Sequence, residues 1–365
     1  MNCSTQMKIR KIALLATLPA AVMVANAQAD GPEVYGKLNV SLQRNDVTVN
    51  TPGADILSNW SLDSNASRFG IKGSTELDGG LKGIYKLEFS TAVDSGDATL
   101  GARNSYVGVQ DTWGTAIGGK FDTPTKEIRG KIDQFADYKV ADIANVLVGQ
   151  QRPSNIVMYS SPKIADDITI NAAIIPGENT GVSPGKHNNH AADGTSASVV
   201  YDTKDIYVAL SEDSHVDSGV LWFSEATSGV DIWGTETNII RLAAEMKIDT
   251  LVVGAILQDA KDSDTNLIVN GFTKQQGAIL SAAYTMDKET FKAQFGHSKI
   301  DVQNSAQNDA KLNSISLGLD HSLGKGAKAY VYLAQVKTDN MKAGVNAQGV
   351  KETDNTLGIG FEQKF

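Results

Sequence analysis

The sequence predicts an all-β protein: a 16-stranded antiparallel transmembrane β-barrel with an inward-folded third loop. Three observations carry this. Short runs alternate apolar and polar residues, the period of a strand with two unlike faces. Connections are alternately short and long, the asymmetry of barrels that span a membrane. Beyond the N-terminal region no stretch approaches roughly eighteen consecutive apolar residues, so no segment reads as a transmembrane helix. Lipid offers the backbone no hydrogen-bond partner, so strands that cross it must close on themselves.

The elements follow in order. Lys8, Arg10 and Lys11 precede an apolar run from Ile12 to Val24 and small residues from Ala25 to Ala29. That order is a secretory signal peptide over residues 1–29, cleaved after Ala27 or Ala29, leaving residues 30–365 as the barrel. Cys3, the single cysteine, lies in the signal, so the mature chain has no disulfide and no thiolate metal site. Removing three bases and no acids takes the formal net charge from −9 to −12, which argues against nucleic acid as a partner.

In the first strand Leu38, Val40 and Leu42 oppose Lys37, Asn39, Ser41 and Gln43. A polar stretch from Arg44 to Ser67 follows. Phe69 and Ile71 then oppose Arg68 and Lys72. A tight turn at Leu77 to Gly80 leads to Tyr85, Leu87 and Phe89 opposite Lys82, Lys86 and Glu88. Asp-Gly between alternating runs is a strong hairpin signal. Six further short turns lie at Asp111 to Gly114, Pro162 to Asp167, Asp202 to Asp205, Ile248-Asp249, Asp287 to Glu289 and Leu323 to Gly326. Long polar stretches alternate with them, giving fifteen connections and sixteen strands. Runs such as Ile239 to Lys247 have the roughly nine to eleven residues of a tilted spanning strand. In the closing strand Leu357, Ile359, Phe361 and Phe365 share one face.

Residues 121–155 do not alternate. Thr123-Pro124 reads as a helix start, with Ile128, Ile132, Phe135 and Ala136 at helical spacing. A long connection in a compact β protein is usually functional. This one carries Asp122, Glu127, Asp133, Asp137 and Asp142, and reads as a loop folded into the bore and constricting it. Bases facing lipid cost about 2–4 kcal/mol each near the midplane, so the polar face with Lys37, Arg68, Lys72, Lys82 and Lys86 is the lumen.

"VYGKLNVSLQ", "SRFGIKGSTELDGGLKGIYKLEFS", "ARNSYVGVQDTWGTAIGGKFDTPTK", "YSSPKI" and the terminal "GIGFEQKF" resemble the Gram-negative general porins across the whole mature chain. The resemblance implies a homotrimer in the outer membrane, surrounded by lipid and lipopolysaccharide, with passive diffusion of ions and small hydrophilic solutes and no enzymatic activity or cofactor. It implies a basic wall of Lys37, Arg68, Arg103 and Arg152 facing an acidic third loop. The enterobacterial Pro-Glu-Phe-Gly-Gly loop motif is absent, so the facing carboxylates are read as Asp133 and Asp137 ahead of Glu127. Phe361 and Phe365 match the C-terminal signature for the barrel assembly machinery. The net charge of −12 favours mild cation preference. A substrate-selective channel of the same fold is the alternative, and a secreted or surface β-rich glycan-binding protein is the alternative of another class.

Other constellations are discounted. His187 and His190 with Asp193 lack a framework for a metal. Asp262 to Asn266 begins like a calcium loop, but Leu267 and Thr273 occupy the positions that need Gly and Glu. Gly324-Lys325-Gly326 reads as a turn, and the five histidines support no catalytic triad. Trp60, Tyr85, Phe89, Tyr106 and Trp113 read as interfacial girdles or contacts between monomers. Tyr330 and Tyr332 share a face whose direction the sequence leaves open.

Overall fold

The computed structural model describes residues 29–50, 57–95, 100–177, 190–217, 236–263, 272–302, 309–339 and 351–365. All but the last residue of the predicted signal peptide lie outside them, as do His187 and residues 264–266 of the calcium-loop mimic. The strand segments are β1 (Ala29–Val49), β2 (Leu57–Ser64), β3 (Arg68–Glu76), β4 (Lys82–Ser90), β5 (Gly101–Ala102), β6 (Ser105–Asp111), β7 (Gly114–Lys120), β8 (Ile156–Ser160) and β9 (Ile168–Ile175). They continue as β10 (Gly194–Asp202), β11 (Ile206–Asp217), β12 (Glu236–Ile248), β13 (Leu251–Asp262), β14 (Phe272–Met286), β15 (Glu289–Val302), β16 (Ala310–Gly324), β17 (Ala327–Asp339) and β18 (Lys351–Lys364).

Each pairs antiparallel with its neighbours, and β1 pairs with β18, so the sheet closes. Segments β2 and β3 both pair with β1, and β5 and β6 both pair with β4. Each couple is one interrupted strand, which makes sixteen barrel strands. All seven predicted short turns join neighbouring strands at one end. Asp249 and Asp287 adopt φ of 54° and 55° there, a left-handed turn conformation that Asp tolerates.

Alternation sets the faces. Leu38 and Leu42 are 40% and 48% exposed to the outside, whereas Asn39, Ser41 and Gln43 are buried by the chain's own interior. The closing pair is fixed by the Gly36 N–H donating to the Phe365 carbonyl at 2.9 Å and the Phe365 N–H donating to the Gly36 carbonyl at 3.1 Å. Phe361 and Phe365 both lie on the outer face, largely exposed.

The structure corrects the sequence reading at several points. Strands β11 to β18 run 12–15 residues, longer than the expected nine to eleven. The apolar band marks only the part in lipid, and the pleat continues where both faces are wetted. For the same reason Arg44 to Ser67 is mostly hairpin, with β1 reaching Val49 and β2 starting at Leu57. The helix predicted after Thr123 is one turn, Pro124–Glu127, capped by the Thr123 hydroxyl accepting from the Lys126 N–H at 3.2 Å. Gly130 is a poor helix residue, and barrel side chains take over the backbone groups a longer helix would have paired. Tyr106 faces inward, edge-on to Phe121 with ring centres 5.5 Å apart, so it is no girdle residue. Trp113 stacks on Tyr159 at 6.1 Å at the short-turn end.

Tyr330 and Tyr332 are buried on the inner face, lying over the backbones of Gly360 and Gly358. A Cβ at Gly358 would overlap the Tyr332 ring. Gly358→Val is therefore expected to cost about 1–3 kcal/mol by overpacking, read as a lower urea midpoint of the detergent-folded barrel. Gly31→Val, where the added Cβ meets nothing within 4 Å, is the control expected to leave the midpoint unchanged.

Candidate functional site

Residues 121–155 pack against inward-facing side chains of β11 to β17 and reach across to β1 and β3. Their base is held by Arg241 of β12, which is fully buried. Its Nη1 donates to the Thr125 carbonyl at 2.7 Å, its Nη2 to the Val148 carbonyl at 2.7 Å, and its Nε to Gln258 Oε1 at 2.7 Å. One guanidinium thus ties both limbs of the segment to the wall. Gln275 of β14 adds two bonds, accepting from the Val148 N–H and donating to the Val146 carbonyl, each at 3.0 Å.

Between these polar ties the interface is apolar. Ile128, Ile132, Ile143, Val146 and Leu147 pack on Tyr207, Ala209, Ala243, Ile256 and Ile279. Burying such side chains stabilises by roughly 1.5–3 kcal/mol each. Further along, Tyr138 stacks on Tyr330 at 4.6 Å and Tyr332 at 5.1 Å, with Phe135 beside it. The inner wall from β11 to β17 is therefore covered and dry along this contact.

The opposite limb of the wall is polar. Asp137 takes φ of 74°, which turns its carboxylate toward β1 and β3. Lys37 Nζ meets it at 2.6 Å and Arg68 Nη1 at 3.2 Å. Burial alone would raise the Asp137 carboxyl, but the Lys37 ammonium and then the Arg68 guanidinium outweigh it and hold it at about 2. Arg103 meets Glu88 of β4 at 2.9 Å and no acid of the segment. Glu88 also receives Lys86 at 3.3 Å and the Tyr35 hydroxyl at 2.9 Å. Arg152 meets Asp122 at 3.0 Å and donates to Asn104.

Asp133 points away from the basic wall. It pairs with Arg129 at 3.5 Å, accepts from Gln294 of β15 at 3.2 Å, and is sealed from water. Burial, then the nearby Asp142 charge, push its carboxyl up. Burial also raises Glu127, with Asp122 adding to the push, to about 7. Among the three expected acids, then, Asp137 alone reaches the wall bases. Arg241, Tyr138, Tyr330 and Tyr332 belong to the site without any motif that marks them in the sequence. The signal for them was apolar and aromatic residues intruding on an inward face.

A closed barrel with an apolar outer belt and a charged, ion-paired interior defines a water-filled channel of an outer membrane. Residues 13–341 match the family model of the Gram-negative porins, and the chain belongs to that family. Major outer membrane protein P.IB of Neisseria gonorrhoeae is 23% identical over 338 residues, covering 89% of this chain and 92% of its own. An outer membrane porin protein of Bordetella pertussis is 29% identical over 170 residues, 40% of this chain and 44% of its own. An anion-selective porin from Comamonas acidovorans shares the fold with a TM-score of 0.70 at 20% identity, over 93% of this chain and 100% of that one. OmpT of Vibrio cholerae, in a trimer form, gives 0.61 at 16%, over 92% and 99%. The protein is an outer-membrane diffusion porin: a channel through which ions and small hydrophilic solutes pass.

Two outcomes follow from the geometry. Arg241→Met leaves the Thr125 carbonyl unpaired inside the barrel and the Val148 carbonyl with Gln258 as a remaining side-chain donor, at about 1–3 kcal/mol for the orphaned group. The segment is expected to loosen, exposing Lys126 and Arg129 to trypsin in the folded protein, where wild type resists. Asp137 has a depressed folded pKa, so its contribution is present above the ordinary carboxylate value of about 4 and lost as pH falls through about 2. Linkage puts this at roughly 2 kcal/mol. Urea stability of wild type should drop by that much more than that of Asp137→Asn between pH 4 and 2.

Proposed function

We propose that residues 121–155 narrow the pore to a slot bounded by Asp137 and Arg152 of the segment and by Lys37, Arg68 and Arg103 of the wall, and that small anions are mildly favoured there. The observation that carries this is the division of the interior: the segment is packed dry onto β11 to β17, which leaves the solute path along the basic side. On that side most bases reach water more than the acids behind them, the exception being Lys37, whose side chain is 9% exposed against 22% for Asp137. Arg103 and Lys86 side chains are 18% and 21% exposed against 6% for Glu88, and Arg152 is 17% against 12% for Asp122. A passing solute meets cationic edges first, and rings of one charge set ion preference.

The likeness to the Comamonas acidovorans anion-selective porin supports this reading, and the trimer form of Vibrio cholerae OmpT supports assembly of this chain as a homotrimer. Lipopolysaccharide around the apolar belt, and recognition of Phe361 and Phe365 by the barrel assembly machinery, belong to the same proposal.

Planar-bilayer recording tests it. A KCl gradient is expected to give a reversal potential on the chloride side. The double variant Arg68→Ala, Arg103→Ala is expected to move it toward potassium and raise the single-channel conductance. A potassium-side potential in wild type would overturn the anion preference, and unchanged conductance in the double variant would overturn the slot.

A further inference from the structure

A cavity of about 240 Å³ lies between the base of the segment and the inner wall of β4, β6, β7 and β8. Its apolar lining includes Ile84, Tyr106, Ile117, Phe121 and Met158, and Glu127 borders it. Thr115 and Ser160 also border it. Both lie next to short turns, whereas Tyr106 and Phe121 lie toward the other end of β6 and β7, so the cavity runs along the inner wall toward the short-turn end, the periplasmic end of an outer-membrane barrel.

Glu127 distinguishes this cavity. Asp122, Asp133, Asp137 and Asp142 each have an ionic partner within the described residues. Glu127 has none, and its side chain is exposed. The neighbouring bases are engaged elsewhere: Lys86 with Glu88 at 3.3 Å, Lys126 with Asp122 at 2.8 Å, and Arg152 with Asp122 at 3.0 Å. Above about pH 7 Glu127 is an unpaired carboxylate at the edge of an aromatic and aliphatic hollow, complementary to a cation with an apolar body. Tyr106 and Phe121 add ring faces that attract a cation. The volume is below the roughly 300–1,000 Å³ of pockets for drug-sized ligands, which suits one ring with a short aminoalkyl arm.

We propose that this cavity is a binding site for a small amphipathic organic cation, an arylalkyl ammonium, held by Glu127 and seated on Tyr106, Phe121 and Ile117. The site goes beyond diffusion through the pore, and its occupancy is readable without conduction, so it stands or falls apart from the slot.

The test is a ligand-observed fluorine NMR titration of 4-fluorophenethylamine into the folded protein in detergent. Saturable broadening is expected, reversed by phenethylamine and not by phenylacetate. Glu127→Gln is expected to weaken binding at least tenfold with an unchanged circular dichroism spectrum. Met158→Trp, which fills the hollow and keeps the carboxylate, is expected to abolish it. Glu76→Gln, an exposed acid paired with Lys82 at the same end, should leave it unchanged. Absence of saturation, undiminished binding by either Glu127→Gln or Met158→Trp, equal loss in Glu76→Gln, or displacement by phenylacetate would each overturn the proposal.

Discussion

Hydrocarbon offers no hydrogen-bond partner to a peptide group, and the rest of this structure depends on that constraint. A sheet left open in lipid would carry a row of unpaired N–H and C=O groups at each edge. The first and last strands therefore pair, and Phe365 exchanges two backbone bonds with Gly36. Closure in turn fixes an interior. Once one face of every strand must be apolar for lipid, the polar residues have only the bore to occupy, and a channel results.

The bore is not uniform, and that division shapes the site. A segment placed inside a water-filled barrel gains little unless one part of the wall accepts its apolar side chains. Strands β11 to β17 provide that part, with Ile256, Ile279 and the Tyr330–Tyr332 pair facing inward. Arg241 and Gln275 satisfy the backbone groups that this packing takes from water. The segment is consequently tied to one side, and its free edge faces the strands that carry Lys37 and Arg68. Packing on one wall and charge pairing on the other are two halves of one arrangement.

The outer face and the turns were legible because lipid imposes strict alternation and tight turns impose Asp and Gly. The dry interior was not. An inward face that packs a loop looks apolar on both sides of the pleat, which is why "AKAYVYLAQVK" gave no direction for Tyr330 and Tyr332. The acids failed for a different reason. Asp133 and Asp137 are four apart, a spacing that puts both on one helical face, but the helix stops at Glu127 and Asp137 is left-handed. One carboxylate is sealed against β15 while the other meets the wall. Arg241 reads in the sequence as one base in a strand; its role exists only once both limbs of the segment lie beneath it.

The same geometry separates the charge of the chain from the charge of the pore. A sum over the sequence counts acids wherever they lie, yet at physiological salt a charge is felt over only about 8 Å. Of the acids near the wet wall, Glu88, Asp122 and Asp137 are each engaged with two bases while Glu127 has none among the described residues, and the engaged acids lie deeper than most of those bases. A carboxylate behind a guanidinium lowers the net field but leaves the cationic edge nearest the water. The surplus of acids over bases in the whole chain therefore says little about the wall, and the proposed anion preference rests on the order of burial within most pairs, Lys37 lying deeper than Asp137.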